Sequence, residues 1–421
     1  MILLLALVAS LIVFVLSVVR LFNVLAFEDY VESRSIEQMK SYVNNPRFDT
    51  RKIKIILIPN DPQKDPGGDI KKEHRKFFVD LVAAMRTARA KVLAFDVAFE
   101  GPFDKDFSNA IASQSDRLKV IVGVDSYENG KADPELPPDV KEPLWGVVNV
   151  GGSQAVDGPI RSLKLADESS GNNGSGRSEL LVRPSFALRV VSEFSDPPLV
   201  PEFDHGSQRL FLYSDASKSK IVKSIPLDRQ QDLLLQQATQ QDLDTARVYA
   251  HDIYDKLKKH EPLRNEDYED KIVLVGYENG DLRDVFSGGK RYGVQLQATA
   301  ISNILNEVFI YKLPPLYNYL IILFMALLAA ALFTPLGQRL RFSIPITVPW
   351  TNLVIPIPLS LIVLVVIYLL TAFIVYKSSK VYLDVCYHIT ALVVSYALIW
   401  FVLKKKFPPE VAPQPEWEKV T

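Results

Sequence analysis

"AKVLAFDVAFEGPFDKDF" (residues 90–107) places one acid inside an apolar run. Val92, Leu93, Ala94 and Phe95 read as a buried strand, and Gly101-Pro102 as the turn that closes the stretch. Asp96 stands between that strand and Val97, Ala98 and Phe99. A carboxylate in such surroundings needs a partner. The stretch therefore poses a fold question and a site question together.

Upstream, "KIKIILIP" (52–59) alternates and is rich in isoleucine, which predicts a strand. "EHRKFFVDLVAAMRTARA" (73–90) puts Phe77, Leu81, Met85 and Ala88 on one helical stripe. Downstream, "DFSNAIAS" (106–113) starts a short helix with an acid at its positive end, and "LKVIVGVDS" (118–126) is a strand. Strand, helix, strand, helix, strand is the signature of an α/β sheet with parallel members. "LWGVVNV" (144–150), "RLFLYSD" (209–215) and "KIVLVGY" (271–277) add strands. "PSFALRVVSEF" (184–194) and "YGVQLQATAISNIL" (292–305) add helices, and residues 229–260 read as one glutamine-rich helix. Residues 166–180, "ADESSGNNGSGRSEL", read as a flexible loop, and residues 24–48 as a polar helix. No internal repeat is present.

The composition divides the chain. Net charge is −1, which gives no global basic field, and nucleic acid is not an expected partner. The single cysteine, Cys386, excludes an intrachain disulfide framework and a cysteine metal site. "ILLLALVASLIVFVLSVV" (2–19) carries no charge and just reaches bilayer length, for which roughly 20 apolar residues are needed. A signal peptide is the competing reading. Its apolar core is usually shorter and follows a cation, so an uncleaved anchor is expected here. Three further spans are predicted at 315–337, 352–376 and 381–403, with Pro356 and Pro358 at the start of the second of these. Asp384 and His388 are four apart and read as an interfacial hydrogen-bonded pair. Arg339, Arg341 and Lys404 to Lys406 put the C-terminus in the cytoplasm, and four spans then put the N-terminus there too. Residues 20–312 fall outside the cytoplasm.

Enzyme motifs are missing: there is no G-x-x-x-x-G-K-[ST], G-x-S-x-G, H-E-x-x-H or kinase set. The chain reads as a non-enzyme without metal or cofactor, its histidines His74, His205, His251 and His260 being scattered. The acids are more informative. Ligands of open α/β sheets bind beyond the carboxyl ends of the strands. If strands 92–95 and 271–277 are neighbours, Asp96, Asp104, Asp281 and Asp284 converge on one rim. Asp96 then either anchors a loop, through amides or Arg161 or Arg283, or lines a small-ligand pocket. The loop anchor is the preferred reading.

Four stretches resemble the CHASE domain of type 2, an extracytoplasmic sensory domain associated with bacterial cyclases and histidine kinases. They are "AKVLAFDVAFEGPFDKDFSNAIA" (90–112), "GVVNVGGSQAVDGPIRSLKL" (146–165), "DKIVLVGYENGDLRDVF" (270–286) and "YGVQLQATAISNIL" (292–305). One span before the domain and three after it also resemble the family. The chain departs at "PGGDIKKEH" (66–74), where the family often has a Trp-Pro-rich turn, and at Gln297, where it often has histidine. The resemblance implies an α/β extracytoplasmic sensory domain, with a mixed, largely parallel sheet and flanking helices, plus four transmembrane α-helices. The implied layout is an anchor at 1–23, the sensory domain at 24–312, three spans at 313–405 and a disordered cytoplasmic tail at 406–421. Asn149, Asp157 and Arg161 join the four acids as candidate ligand-binding residues. The implied partners are the lipid bilayer, an extracytoplasmic ligand and a separate cytoplasmic effector such as a cyclase or kinase, with homodimerisation left open. The implied function is that of a membrane-bound sensory receptor, and the alternative is a non-catalytic envelope scaffold or assembly protein.

Overall fold

The computed structural model of the chain describes residues 1–19, 48–59, 70–97, 105–112, 117–124, 126–128, 131–133, 145–148, 162–172, 178–204, 209–214, 217, 220–226, 232–234, 238–278, 283–285, 289–309, 311–334, 343–347, 354–379 and 381–406. The chain opens with helix α1 (Ile2–Val19). It divides into two compact units, Lys40–Tyr311 on one hand and Met1–Met39 with Lys312–Thr421 on the other.

In the first unit the strands β1 (Ile53–Ile58), β2 (Val92–Asp96), β3 (Lys119–Val124), β4 (Trp145–Val147), β5 (Arg247–Tyr249) and β6 (Ile272–Tyr277) form one six-stranded sheet. Its order is β5-β1-β6-β2-β3-β4, and every pairing is parallel. β2 and β6, whose adjacency was the condition for a shared acidic rim, are paired, with Asp96 opposite Gly276. Side chains alternate between two cores, as the two-residue strand period requires. Ile53, Ile55, Leu57, Val92, Ala94, Ile272 and Leu274 face one side. There they meet α4 (Phe186–Phe194), α5 (Gln240–Ala246) and α8 (Gly293–Leu305). Ile56, Ile58, Leu93, Phe95, Val120, Val122, Val273 and Val275 face the other. They meet α2 (Ile70–Thr87), α3 (Lys105–Ala112), α6 (Ala250–Lys258) and α7 (Asn265–Tyr268). Fully burying each large side chain contributes about 1.5–3 kcal/mol. A parallel sheet covered on both faces is the arrangement its near-continuous apolar strands demand.

Three local expectations are corrected. Residues 166–180 are not simply loop: Ala166–Asn172 and Ser178–Pro184 pair as an antiparallel hairpin. The Gly- and Asn-rich letters lie at or near its tip, while Leu180, Leu181 and Val182 supply a good return strand. Residues 229–260 are not one helix. Asp232–Leu234 is a strand, Thr239 caps α5 through the Asp242 amide at 3.1 Å, and β5 separates α5 from α6. Arg247, Val248 and Tyr249 take the open edge of β1, so ladder bonds and packing outweigh helix propensity there. A three-stranded antiparallel sheet also forms from Val200–Asp204, Arg209–Tyr213 and Ile221–Pro226, of which only the middle strand is evident in the sequence.

The second unit holds α1, α9 (Pro315–Ala331), α10 (Leu359–Ser379) and α11 (Val385–Lys406). Two helices, α10 and residues Val385–Leu403 of α11, are long and apolar enough to cross a membrane. The other two apolar stretches, Ile2–Ser17 and Leu316–Ala331, are shorter, so two of the four expected spans meet the length criterion. Pro356 and Pro358 do not open α10: they lie in the strand Val354–Pro358, paired antiparallel with Ser343–Thr347. The interior of this unit holds large side chains such as Ile322, Tyr387 and Leu392 together with small ones. Ala6, Ala9, Ser10 and Val13 of α1 are buried, as are Ala326, Ala329 and Ala330 of α9. Leu3, Leu4, Leu7, Leu11, Phe324, Ile362, Val366, Leu370 and Ile374 face outwards.

Gly146 in β4 lies against backbone, which cannot give way as a side chain can. A Cβ there would lie 2.7 Å from the Phe186 Cα and 2.9 Å from its nitrogen, which are backbone atoms at the start of α4. Gly146→Ala is therefore expected to cost about 1–3 kcal/mol, or more, through overpacking. Chemical unfolding of the compact unit 40–311 measures this, and an unchanged midpoint would refute the close approach.

Candidate functional site: the carboxyl rim of the parallel sheet

All six strands end on one rim, because all run the same way. β2 ends at Asp96, beside Gly276 of β6. A Cβ on Gly276 would lie 2.6 Å from the Val294 Cβ, so α8 begins directly against the end of β6. The β6 ladder continues one step further, with the Glu278 amide donating to the Ile58 carbonyl at 2.8 Å. α8 is buried along almost its whole length, and it carries polar residues into that interior: Gln295, Gln297, Thr299, Ser302 and Asn303. Thr299 Oγ1 donates to the Gln295 carbonyl at 2.8 Å, and Gln295 Oε1 accepts from the Tyr292 amide at 3.1 Å. Ser302 Oγ accepts from the Asp49 amide at 3.3 Å.

Two side chains beside α8 give the rim its charge. Arg291, immediately before Tyr292, is 8 % exposed. Its Nη1 donates to Gln240 Oε1 at 2.8 Å and to the Lys290 carbonyl at 3.0 Å, while its buried Nε has no partner among the described residues. Burial lowers its pKa, and Asp244 opposes that shift. Asp244 lies one step away: it accepts from Gln240 Nε2 at 2.9 Å and from Arg247 Nη2 at 3.2 Å. Arg247 in turn lies 5.1 Å from the Tyr249 ring. On the far side, the Tyr292 hydroxyl pKa is raised by burial and then by Glu278, to which it is hydrogen-bonded. A buried guanidinium whose direct partners are neutral oxygens is electrostatically incomplete, since buried charges are ordinarily paired.

The sequence-predicted residues fall as follows. Asp96 is half-buried at the end of β2 and is not without a partner. Asp284 stands in the hairpin Arg283–Val285 with Gly289–Arg291, opposite Lys290 in backbone register. Asp104, Asn149, Asp157, Arg161 and Asp281 lie outside the described residues. Gln297 is fully buried; its Nε2 donates to the Val148 carbonyl at 3.2 Å and its Oε1 has no partner. Sequence reasoning missed Arg291, Tyr292 and Glu278 as a group. The available signal was "KRYG" (290–293), a basic pair just before a wholly buried helix.

The CHASE2 domain family matches the chain over residues 5–332, and the chain belongs to that family. CHASE2 domains are extracytoplasmic sensory domains. No curated protein and no solved structure matches the chain. The family match is wider than the α/β unit: it begins within α1 and runs past the end of α9.

Arg291 separates a ligand role from a structural one. Gln240 is exposed, so its amide can turn to water when Arg291 is lost. Arg291→Met, which keeps the buried stem, is expected to change the unfolding free energy of unit 40–311 by less than about 1 kcal/mol. A loss of about 3–5 kcal/mol, as for a broken buried ion pair, would show instead that Arg291 holds the fold together.

Proposed function

We propose that this chain is a membrane-bound sensory receptor whose α/β unit binds a small ligand at the carboxyl rim and signals through its apolar helices to a separate cytoplasmic effector. The observation that carries this reading is the CHASE2 match from residue 5 to residue 332, which treats α1 and α9 as parts of the same family unit as the sheet. The many large apolar side chains exposed on all of α1, α9 and α10 support membrane insertion of the helices, since lipid, itself apolar, accommodates them. α1 and α9, at 18 and 17 residues, fall at the short end of the length that crosses a bilayer. The cationic clusters at Arg339, Arg341 and Lys404 to Lys406 support a cytoplasmic C-terminus and an extracytoplasmic sheet. Signalling requires that the ligand bind two states of the receptor unequally.

Two measurements test the reading. In a thermal-shift screen of the purified chain, a ligand at about 100 times its dissociation constant stabilises by roughly 2.7 kcal/mol. The absence of any hit, together with stable co-purification of envelope proteins, favours an assembly scaffold instead. In a Cys386→Ser background, a cysteine at Ser126 is expected to react with an impermeant maleimide in intact cells or spheroplasts. A cysteine at Ser343 is expected to react only after lysis. The reverse pattern overturns the extracytoplasmic placement and the receptor reading with it.

A further inference from the structure

The helical unit contains a polar cluster that the rim does not use. Asn318 lies in the first turn of α9 and is 1 % exposed; His388 lies in the first turn of α11 and is fully buried. Asp384 immediately precedes α11, and Tyr368 is in the middle of α10. Asn318 Nδ2 donates to Asp384 Oδ2 at 2.8 Å. His388 Nε2 is hydrogen-bonded to Asn318 Oδ1, and His388 Nδ1 to the Tyr368 hydroxyl. The acid and the histidine are therefore not a direct side-chain pair, as their spacing suggested: Asn318 bridges them. The signal for it was one asparagine in the apolar run "PLYNYLIIL" (315–323).

We propose that Asn318, Tyr368, Asp384 and His388 form a proton-sensitive site whose hold on α9, α10 and α11 is strongest while His388 is neutral. The donor and acceptor roles are forced in sequence. An ionised Asp384 only accepts, so Asn318 must turn its amide nitrogen to it and its oxygen to His388. His388 must then donate from Nε2. In a neutral imidazole the other nitrogen accepts, so Nδ1 takes the Tyr368 proton. The chain of donation runs from Tyr368 to His388 to Asn318 to Asp384, and each atom has one permitted role. A second proton on His388 turns Nδ1 into a donor, so the Tyr368 hydroxyl keeps the contact only by turning to accept. The Tyr368 proton then loses its acceptor on His388, and the buried imidazole carries a charge among neutral partners, Asn318 Oδ1 and the Tyr368 hydroxyl.

α10 is the helix with most to lose. Only Leu361, Ala372 and Tyr376 of it are buried, and the Tyr368 hydroxyl is one of its side-chain hydrogen bonds to another helix. Other titratable groups on the packed elements do not duplicate the site. α9 offers Tyr317 and Tyr319, α10 Tyr376 and the exposed Lys377, and α11 Cys386, Tyr387, Tyr396 and its C-terminal lysines; α1 carries no titratable side chain. Asp384 is the one carboxylate among the described residues of these elements.

The test is the apparent Tm of the full chain in detergent micelles or nanodiscs from pH 8 to pH 4. The folded cluster holds histidine neutral whereas the unfolded chain takes up the proton, so this contribution to stability is lost as pH falls. Wild type is expected to lose about 2–4 °C more than His388→Gln and His388→Asn over that range. The glutamine keeps the donor to Asn318, the asparagine keeps the acceptor for Tyr368, and neither titrates. Tyr368→Phe is expected to lower the Tm at pH 8 and to lower it less at the acid end, and it serves if either histidine variant fails to fold. Parallel pH profiles for wild type and the histidine variants, or a Tyr368→Phe deficit of equal size at both ends, overturn the proposal.

Discussion

β6 is hydrogen-bonded on both edges, to β1 and to β2, and apolar residues cover both of its faces. A strand in that position has no exposed side on which to place a polar group. Polarity can enter only at its ends, and the end matters most where all the strands stop together. The rim is thus a consequence of the buried parallel sheet. Gly276 completes the constraint, because the missing side chain lets Val294 and the first turn of α8 close on the strand. The buried polar side chains of α8 are carried into the core by that close approach.

Much of this frame was legible in the sequence. Apolar runs such as "VLAF" and "IVLV" are buried on both faces, and their alternation with helical stripes fixes a parallel sheet. The pairing of β2 with β6 could only be posed as a condition, because element order does not say which strands are neighbours. The failures share one cause. Arg247 to Tyr249 are strand because β1 had an open edge, and residues 166–172 are strand because 178–184 lie alongside. Local letters do not record which edge is vacant or which partner is near, and tertiary context overrides propensity in such places. Prolines misled in the same way: Pro356 marks the start of a helix by local rules, yet it pairs with Pro345 in a hairpin.

The candidate site was legible by position more than by residue. Asp96 drew notice because it is an acid in an apolar run, and it does end a strand beside Gly276. Arg291 gave no such contrast, since it stands among Lys290, Tyr292 and Gly293. Its burial depends on α5 coming over it, with Gln240 supplying the oxygen. That contact joins residues 51 positions apart. Asn318 and Asp384, separated by 66 positions, make the same point in the helical unit. Long-range polar pairs leave no periodic trace, whereas cores do.

Both polar clusters sit where the chain could have been more stable without them. An apolar side chain in place of Arg291 leaves no unpaired Nε, and an apolar set in place of Asn318, Tyr368 and His388 has no donor to misplace. Asp384 would then be the group left unpartnered. The two clusters differ in what completes them. Around Arg291 one donor, Nε, has no partner among the described residues. Around His388 the roles close on themselves in one protonation state, and the only change available is the proton. On the proposed reading, the first arrangement suits a ligand with oxygen acceptors, and the second the acidity of its surroundings. A receptor with both has two inputs of distinct chemistry, each coupled to the fold only as far as its bound form differs in energy between two states.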